Sequence, residues 1–214
     1  MEDFKYFITK EDINEKELGK FEGCVEIIND AENARKAVDY LKNFSAVGFD
    51  TESRPSFRKG EHHPVSLIQI STEDRAFLFR CNQLENCSIL NEIIGSDEII
   101  KIGLGLLRDI SELLSDFGFQ CRNFIDLEKI AQNKKFQQRG VRALAAYFLN
   151  IRISKGAQKT NWERAELTEQ QINYAATDAW VCLMIYKKML EDDFITEPIE
   201  DYFIDRAEKV KSEY

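Results

Sequence analysis

Three apolar runs follow one another closely in the first half of the chain: SAVGFDTE from Ser45, VSLIQIST from Val65 and RAFLFR from Arg75. Each is short and rich in β-branched or aromatic residues, as strands are. A chain with three successive strands must build a sheet and then cover it. A helix is expected over AENARKAVDYLKN, N-capped by Asp30, ahead of the first run. After the third run the period alternates: a short helix near ILNEIIG, a strand EIIKIG, a helix from about Leu106 to Phe117, a short strand near FIDL, and then mainly helix. Adjacent strands followed by strand–helix alternation predict an α/β chain, a mixed sheet flanked by helices on both faces, rather than a barrel or a bundle.

A length of 214 residues suits one well-buried domain. Residues 1–22 are polar and charged, and residues 191–214 alternate acids with aromatics around Pro198. The expected organisation is an N-terminal extension over 1–22, one domain over 23–190 and a C-terminal tail over 191–214. No apolar stretch approaches the roughly 20 residues that span a bilayer, so no membrane partner is expected. The acidic start lacks the basic and apolar regions of a secretory signal, which predicts a cytoplasmic protein. Five cysteines without a CxxC pair point to reduced, structural thiols rather than disulfides or zinc. A net charge of −9 excludes a global electrostatic pull on nucleic acid, so a polyanion would have to be held by a local basic patch or by metal ions.

The first run ends on two acids. Alternation sends Val47 and Phe49 to one face and Gly48, Asp50 and Glu52 to the other. Carboxylates side by side raise each other's pKa unless a cation lies between them or water separates them. If their strand is central, they stand at its carboxyl end, where sites gather in open α/β sheets. Asp109 sits at the edge of the predicted stripe Leu106, Ile110, Leu113, Leu114 and Phe117; by itself it is a first-turn carboxylate favoured by the helix dipole. The segment LTEQQINYAATDAWVCLMIYKKML predicts a long helix with Thr168 and Gln171 as a capping box. Tyr174 and Asp178 share one face of it, beside the small Ala175, Ala176 and Ala179. Four carboxylates from three distant segments converge only if something divalent rewards the convergence, and two metal ions about 3.5–4 Å apart would do so. Ligation by carboxylates alone selects Mg²⁺ or Mn²⁺ over zinc.

In order, FDTE, GLLRD and YAATD resemble the three motifs of the DEDD 3′→5′ exonucleases, in the branch with tyrosine in the last motif. The flanks VGFDTESRPSFRKGEHHPVSLIQIST and KTNWERAELTEQQINYAATDAW are most similar to the exonuclease domain of the Werner-syndrome helicase and its stand-alone relatives, with ribonuclease D a more distant cousin. The resemblance runs from about Val25 to Leu190. It implies a ribonuclease-H-like fold and a role for each matching residue. Asp50 would bridge two metal ions, Glu52 and Asp178 would complete the first site, Asp109 would hold the second, and Tyr174 would orient the attacking water. It implies hydrolysis at a free 3′ end with release of nucleoside 5′-monophosphates. Asn173, five before Asp178, stands where the histidine branch has its histidine. Ser53 departs from the aromatic that often follows the first motif, which bears on substrate grip and not on the ligands.

Around these acids, Arg54, Phe57 and Arg58, with Lys59, form a basic loop able to contact a strand, with Phe57 placed to stack on a base. Lys155, Lys159 and Trp162 interleave base and aromatic in a second such loop. Thr51 is expected to offer its backbone to the 3′ end. His62 and His63 lack further fixed ligands for a metal site, Asp126 reads as an N-cap, and Arg108 pairs with Glu112. The expectation is a two-metal 3′→5′ exonuclease acting on DNA more readily than RNA. The alternatives are an exoribonuclease of ribonuclease D type and a nucleic-acid-binding module without catalysis.

Overall fold

The computed structural model describes residues 4–56, 58 and 60–204. The chain begins with a short helix α1 (Lys10–Glu15) and a two-residue strand β1 (Glu17–Leu18), followed by β2 (Cys24–Ile28) and α2 (Ala31–Leu41). The three expected runs are β3 (Ala46–Ser53), β4 (Val65–Ser71) and β5 (Arg75–Arg80). Then come α3 (Asn91–Ile94), β6 (Ile100–Gly103), α4 (Leu107–Phe117), β7 (Phe124–Asp126), α5 (Leu127–Asn133), α6 (Val141–Leu144), β8 (Ile151–Arg152) and α7 (Glu169–Glu191). The main sheet has the order β2-β5-β4-β3-β6-β7. Only β4 runs against its neighbours; the β2–β5, β3–β6 and β6–β7 pairs are parallel.

Both faces of the sheet are covered, as the alternation of apolar residues on β4 and β5 requires. Ile68, Ile70, Phe77 and Phe79 join the core under α2, α3 and α4. Leu67 and Leu78 point the other way, towards Trp162 and Ala175 of the α7 side. Asp30 caps α2 by accepting from the Asn33 amide, and Thr168 with Gln171 closes a capping box on α7. One helical residue departs from expectation: Leu114 is 51% exposed, because Ile110 and Leu113 already fill the contact that α4 makes with the sheet.

Among the described residues, both end segments make contacts with the rest of the chain; residues 205–214 of the expected tail lie outside the described residues. β1 pairs in parallel with β8, Phe21 is buried, its amide donates to Thr177 Oγ1 at 3.0 Å, and its ring lies 6.0 Å from that of Trp180. At the other end Ile195 and Tyr202 are buried, and the Ile204 amide donates to the Phe124 carbonyl at 2.9 Å. These contacts join residues far apart in the chain through isolated apolar side chains, which leave no periodicity to read. The edge strand β2, paired only with β5, was missed for the same reason, since its residues are half-exposed and do not alternate. The expected run of helix after FIDL is interrupted: a π-type turn (Ala145–Leu149), β8 and a loop over 153–168 separate α6 from α7. Among the described residues no helix is long and apolar enough to cross a membrane.

One contact sets how closely α7 lies on the sheet. A Cβ built on Gly48 would stand 2.0 Å from the Ala179 carbonyl oxygen and 2.6 Å from Ser71 Oγ. The strand can meet the helix backbone here only because it carries no side chain. A Gly48→Ala variant should therefore lose about 1–3 kcal/mol of stability, seen as a melting temperature lower by roughly 2–12 °C; an unchanged melting curve would show that the helix can shift freely.

Candidate active site

β3 outruns its neighbour. β6 pairs with it only from Ala46 to Gly48, so Asp50, Thr51 and Glu52 continue along β4 alone, and the β3–β4 register breaks between Glu52 and Ser53. Such an irregularity re-aims side chains at a strand end. The chain meanwhile leaves β6 through Leu104, Gly105 and Leu106 to start α4. Gly105 has a φ of +74°, the left-handed region that favours glycine, and its amide and that of Leu106 donate to the Asp126 carboxylate at 2.9 and 3.0 Å. Asp126 also accepts from the Glu128 amide at 2.9 Å, the N-cap expected of it. One acid thus starts α5 and fixes the turn that aims α4, and with it Asp109, at the end of β3.

The oxygens of Asp50, Glu52 and Asp178 lie within 4.8 Å of one another. Asp109 stands beside them from the α4 side, its carboxylate accepting a 2.5 Å hydrogen bond from Thr51 Oγ1. Thr51 thus uses its hydroxyl to orient an acid, a role the sequence reading did not give it. A cavity of about 310 Å³ brings together Asp50, Glu52, Arg142, Lys155, Tyr174 and Asp178. A second cleft of about 350 Å³ carries Arg54, Arg108 and Asp109. Glu52 and Thr51 line both.

Burial raises all four acids above the usual carboxylate range, and the neighbouring acids add to it at Asp50 and Glu52. Burial pushes Glu52 up to about 10, helped by the charges of Asp50, Asp178 and Asp109. Burial also raises Asp109 to about 6, against the Thr51 hydrogen bond, and Asp178 to about 7, against the hydrogen bond from Tyr174 and the nearby Lys155. Asp50 is raised by burial and by the charges of Asp109 and Asp178. Tyr174 is raised by burial, by the Asp178 charge and by donating to it. Across the sheet from Asp50, Gln69 is fully buried with both amide atoms unpartnered. An all-oxygen donor set whose members repel one another fits hard divalent cations, so the residues suit such ions.

The outer residues sort differently. Lys155 lines the acidic cavity, whereas Lys159 is exposed and outside its lining, with Gln158 in the place it was expected to take. Arg54 is exposed and pairs with Glu163 at 3.4 Å, and Arg58 is exposed on the same loop. Phe57 and Lys59 lie outside the described residues. Trp162 corrects the expectation of a stacking platform: it is fully buried among Leu67, Leu78, Ala157 and Ala175, its ring 6.1 Å from that of Tyr174. Its apolar area wins over its place in a basic loop, and it backs Tyr174 instead of facing a base. Trp162→Ala should cost about 3–5 kcal/mol, read by denaturant unfolding; a change below 1 kcal/mol would mean the ring is dispensable to the core. His62 pairs with Asp116 at 3.0 Å, and the only metal-type cluster among the described residues is Asp50, Glu52 and Asp178. Arg142, which lines the cavity, carried no sequence signal, since only the fold brings α6 against α7 and so to the cavity.

The raised acids make a pH prediction with a definite sign. In the folded state Asp109 and Asp178 hold protons more tightly than in the unfolded chain, so their contribution is full below about pH 4 and lost as pH rises through about 6 and 7. Lys101, buried and lowered to about 7, changes its contribution only above that pH. Metal-free protein should therefore melt at progressively lower temperature from pH 4.5 to 7, and Mn²⁺ should remove that decline by binding the ionised form. A metal-free melting temperature that rises over this interval would contradict the assignment.

A family model described as a 3′-5′ exonuclease matches residues 25–192. The chain is 31% identical over 159 residues to a putative 3′-5′ exonuclease of Acanthamoeba polyphaga mimivirus, covering 67% of this chain and 39% of that one. It is 30% identical over 155 residues to the mouse (Mus musculus) bifunctional 3′-5′ exonuclease/ATP-dependent helicase WRN, covering 70% and 11%. It is also 30% identical over 168 residues to ribonuclease D of Haemophilus influenzae, covering 78% and 41%. The chain thus spans less than half the length of each of these relatives. The solved EXO domain of Aedes aegypti Nibbler superposes with a TM-score of 0.76 at 19% identity, covering 86% of this chain and 96% of that one, which shows a shared ribonuclease-H-like fold. With its acids in DEDD order at the end of β3, the start of α4 and the middle of α7, the chain belongs to the DEDD-type 3′-5′ exonuclease family.

Proposed function

We propose that this chain is a two-metal 3′→5′ exonuclease that removes nucleoside 5′-monophosphates from the 3′ end of a nucleic-acid strand, with DNA the favoured substrate. The observation that supports this most is the meeting of Asp50, Glu52 and Asp178 oxygens within 4.8 Å, with Tyr174 lining the same cavity. On this reading Asp50, Glu52 and Asp178 would hold one Mg²⁺ or Mn²⁺, and Asp109 with Asp50 would hold the second. Bound there, the ions supply Lewis acidity and lower the pKa of a water. The chain's own residues do the rest. Tyr174, its hydroxyl tied to Asp178 and its ring backed by Trp162, orients the attacking water. Thr51 holds Asp109 in one orientation. Lys155 faces the strand, and Arg54 and Arg58 flank it on the rim. The water gives up a proton as its oxygen joins the terminal phosphorus, the bond from that phosphorus to the preceding 3′ oxygen breaks, and that oxygen takes up a proton in turn.

DNA is favoured by the likeness of the motif flanks to the Werner-type exonucleases. RNA is the second reading, supported by the similarity to ribonuclease D. Matched 5′-labelled single-stranded and recessed-3′ DNA and RNA oligonucleotides, incubated with Mg²⁺, Mn²⁺ or EDTA, decide between them. The expected result is a ladder shortening from the 3′ end, abolished by EDTA and by Asp50→Ala, and slowed on the order of 10²-fold or more in Tyr174→Phe. Wild type and Asp50→Ala that bind every strand equally and cut none would leave a binding module without catalysis.

A further inference from the structure

Most arginines of this acidic chain are answered within it. Arg35 pairs with Glu92, Arg75 with Glu26, Arg108 with Glu112 and Arg122 with Asp97, while Arg80 and Arg152 donate to backbone carbonyls. Arg142 is different. It is half-buried, its Nε is buried without a partner, and among the described residues no carboxylate lies within 4.0 Å of it. Its direction is set by the helix it stands on: Ala143 and Leu144 turn into the core, and Arg142 lines the acidic cavity together with Lys155. A buried Nε left without a partner costs free energy, and with 38 acids against 29 basic residues the chain had carboxylates to offer it.

We propose that Arg142 is a substrate-binding residue that grips a phosphate of the strand entering the acidic cavity, an inference that rests on the exonuclease reading above. The planar fork of arginine matches two phosphate oxygens at once. Its stand-off from Asp50, Glu52 and Asp178 keeps it from quenching the acids that hold the metal ions. Once those acids are neutralised by divalent cations, Arg142 and Lys155 leave the cavity positive, which suits a phosphodiester and not a cationic or apolar ligand. The charge needed by a polyanion-binding site in a protein of net charge −9 is then placed where the strand is cut.

The test compares wild type with Arg142→Gln, Arg142→Met and Arg142→Lys. Binding of a fluorescent single-stranded oligonucleotide is followed by anisotropy in Ca²⁺ between 50 and 200 mM salt, alongside melting temperatures. If Arg142 holds one phosphate, Arg142→Gln should bind about tenfold more weakly, and its slope of log affinity against log salt should be shallower by about 0.7, while Arg142→Lys keeps the slope. Arg142→Met should melt at or above the wild-type temperature, because it removes a buried, unpartnered Nε. A wild-type slope in Arg142→Gln, or a melting temperature lowered in all three variants together with affinity, overturns the proposal in favour of a structural arginine. The exonuclease reading fails separately, if wild type binds the strand but never shortens it with Mg²⁺ or Mn²⁺; a wild type that does not bind at all removes both.

Discussion

The close approach of α7 to β3 is the contact on which the rest of the site depends. Gly48 meets the carbonyl of Ala179, and Ala175, Ala176 and Ala179 keep that side of the helix thin and fully buried. Asp178 is the residue before Ala179, and Asp50 is two beyond Gly48, so the backbone contact that packs helix on sheet also brings the two acids together. A larger residue at any of these positions would hold the helix away and part the carboxylates. Packing and chemistry are here one constraint, and the repulsion among the acids is borne by the surrounding core.

That repulsion suits the site to hard cations. Without ions, burial and like charges force protons onto groups that would be ionised in water. A divalent cation bound there would replace those protons and relieve the same strain, so that affinity for metal and stability of the fold would draw on one source of free energy. The chain's negative charge, unfavourable for a polyanion at long range, becomes an advantage at short range once it is concentrated where ions gather. On the proposed reading the positive charge for the strand would be local: Lys155 and Arg142 in the cavity, Arg54 in the neighbouring cleft and Arg58 on the same exposed loop.

Support for the site reaches beyond the motifs. Trp162 backs Tyr174 from within the core, and Asp126 ties the turn before α4 to the start of α5. The N-terminal segment is fastened to α7 next to Asp178, through the hydrogen bond from Phe21 to Thr177 and the Phe21–Trp180 contact. None of these residues needs to touch substrate, and each limits how the reactive side chains move.

The sequence by itself determined the strands β3, β4 and β5, the helices α2 and α7 with their caps, the side of β3 on which Asp50 and Glu52 lie, and the pairing of Tyr174 with Asp178. These are local properties, set by periods of two and of 3.6 residues and by hydrogen bonds that span a single turn. What only the tertiary structure decided are relations between segments with no common period. Trp162 went to the core because its apolar area outweighed the basic loop around it, and Lys159 turned away while Lys155 turned in. Thr51 found Asp109 through its hydroxyl, and the two ends packed down through single residues such as Phe21 and Tyr202. Arg142 came to line the acidic cavity for the same reason: a side chain's neighbours across the fold depend on how helices seat on a sheet, and that seating was written in the absence of a side chain at Gly48.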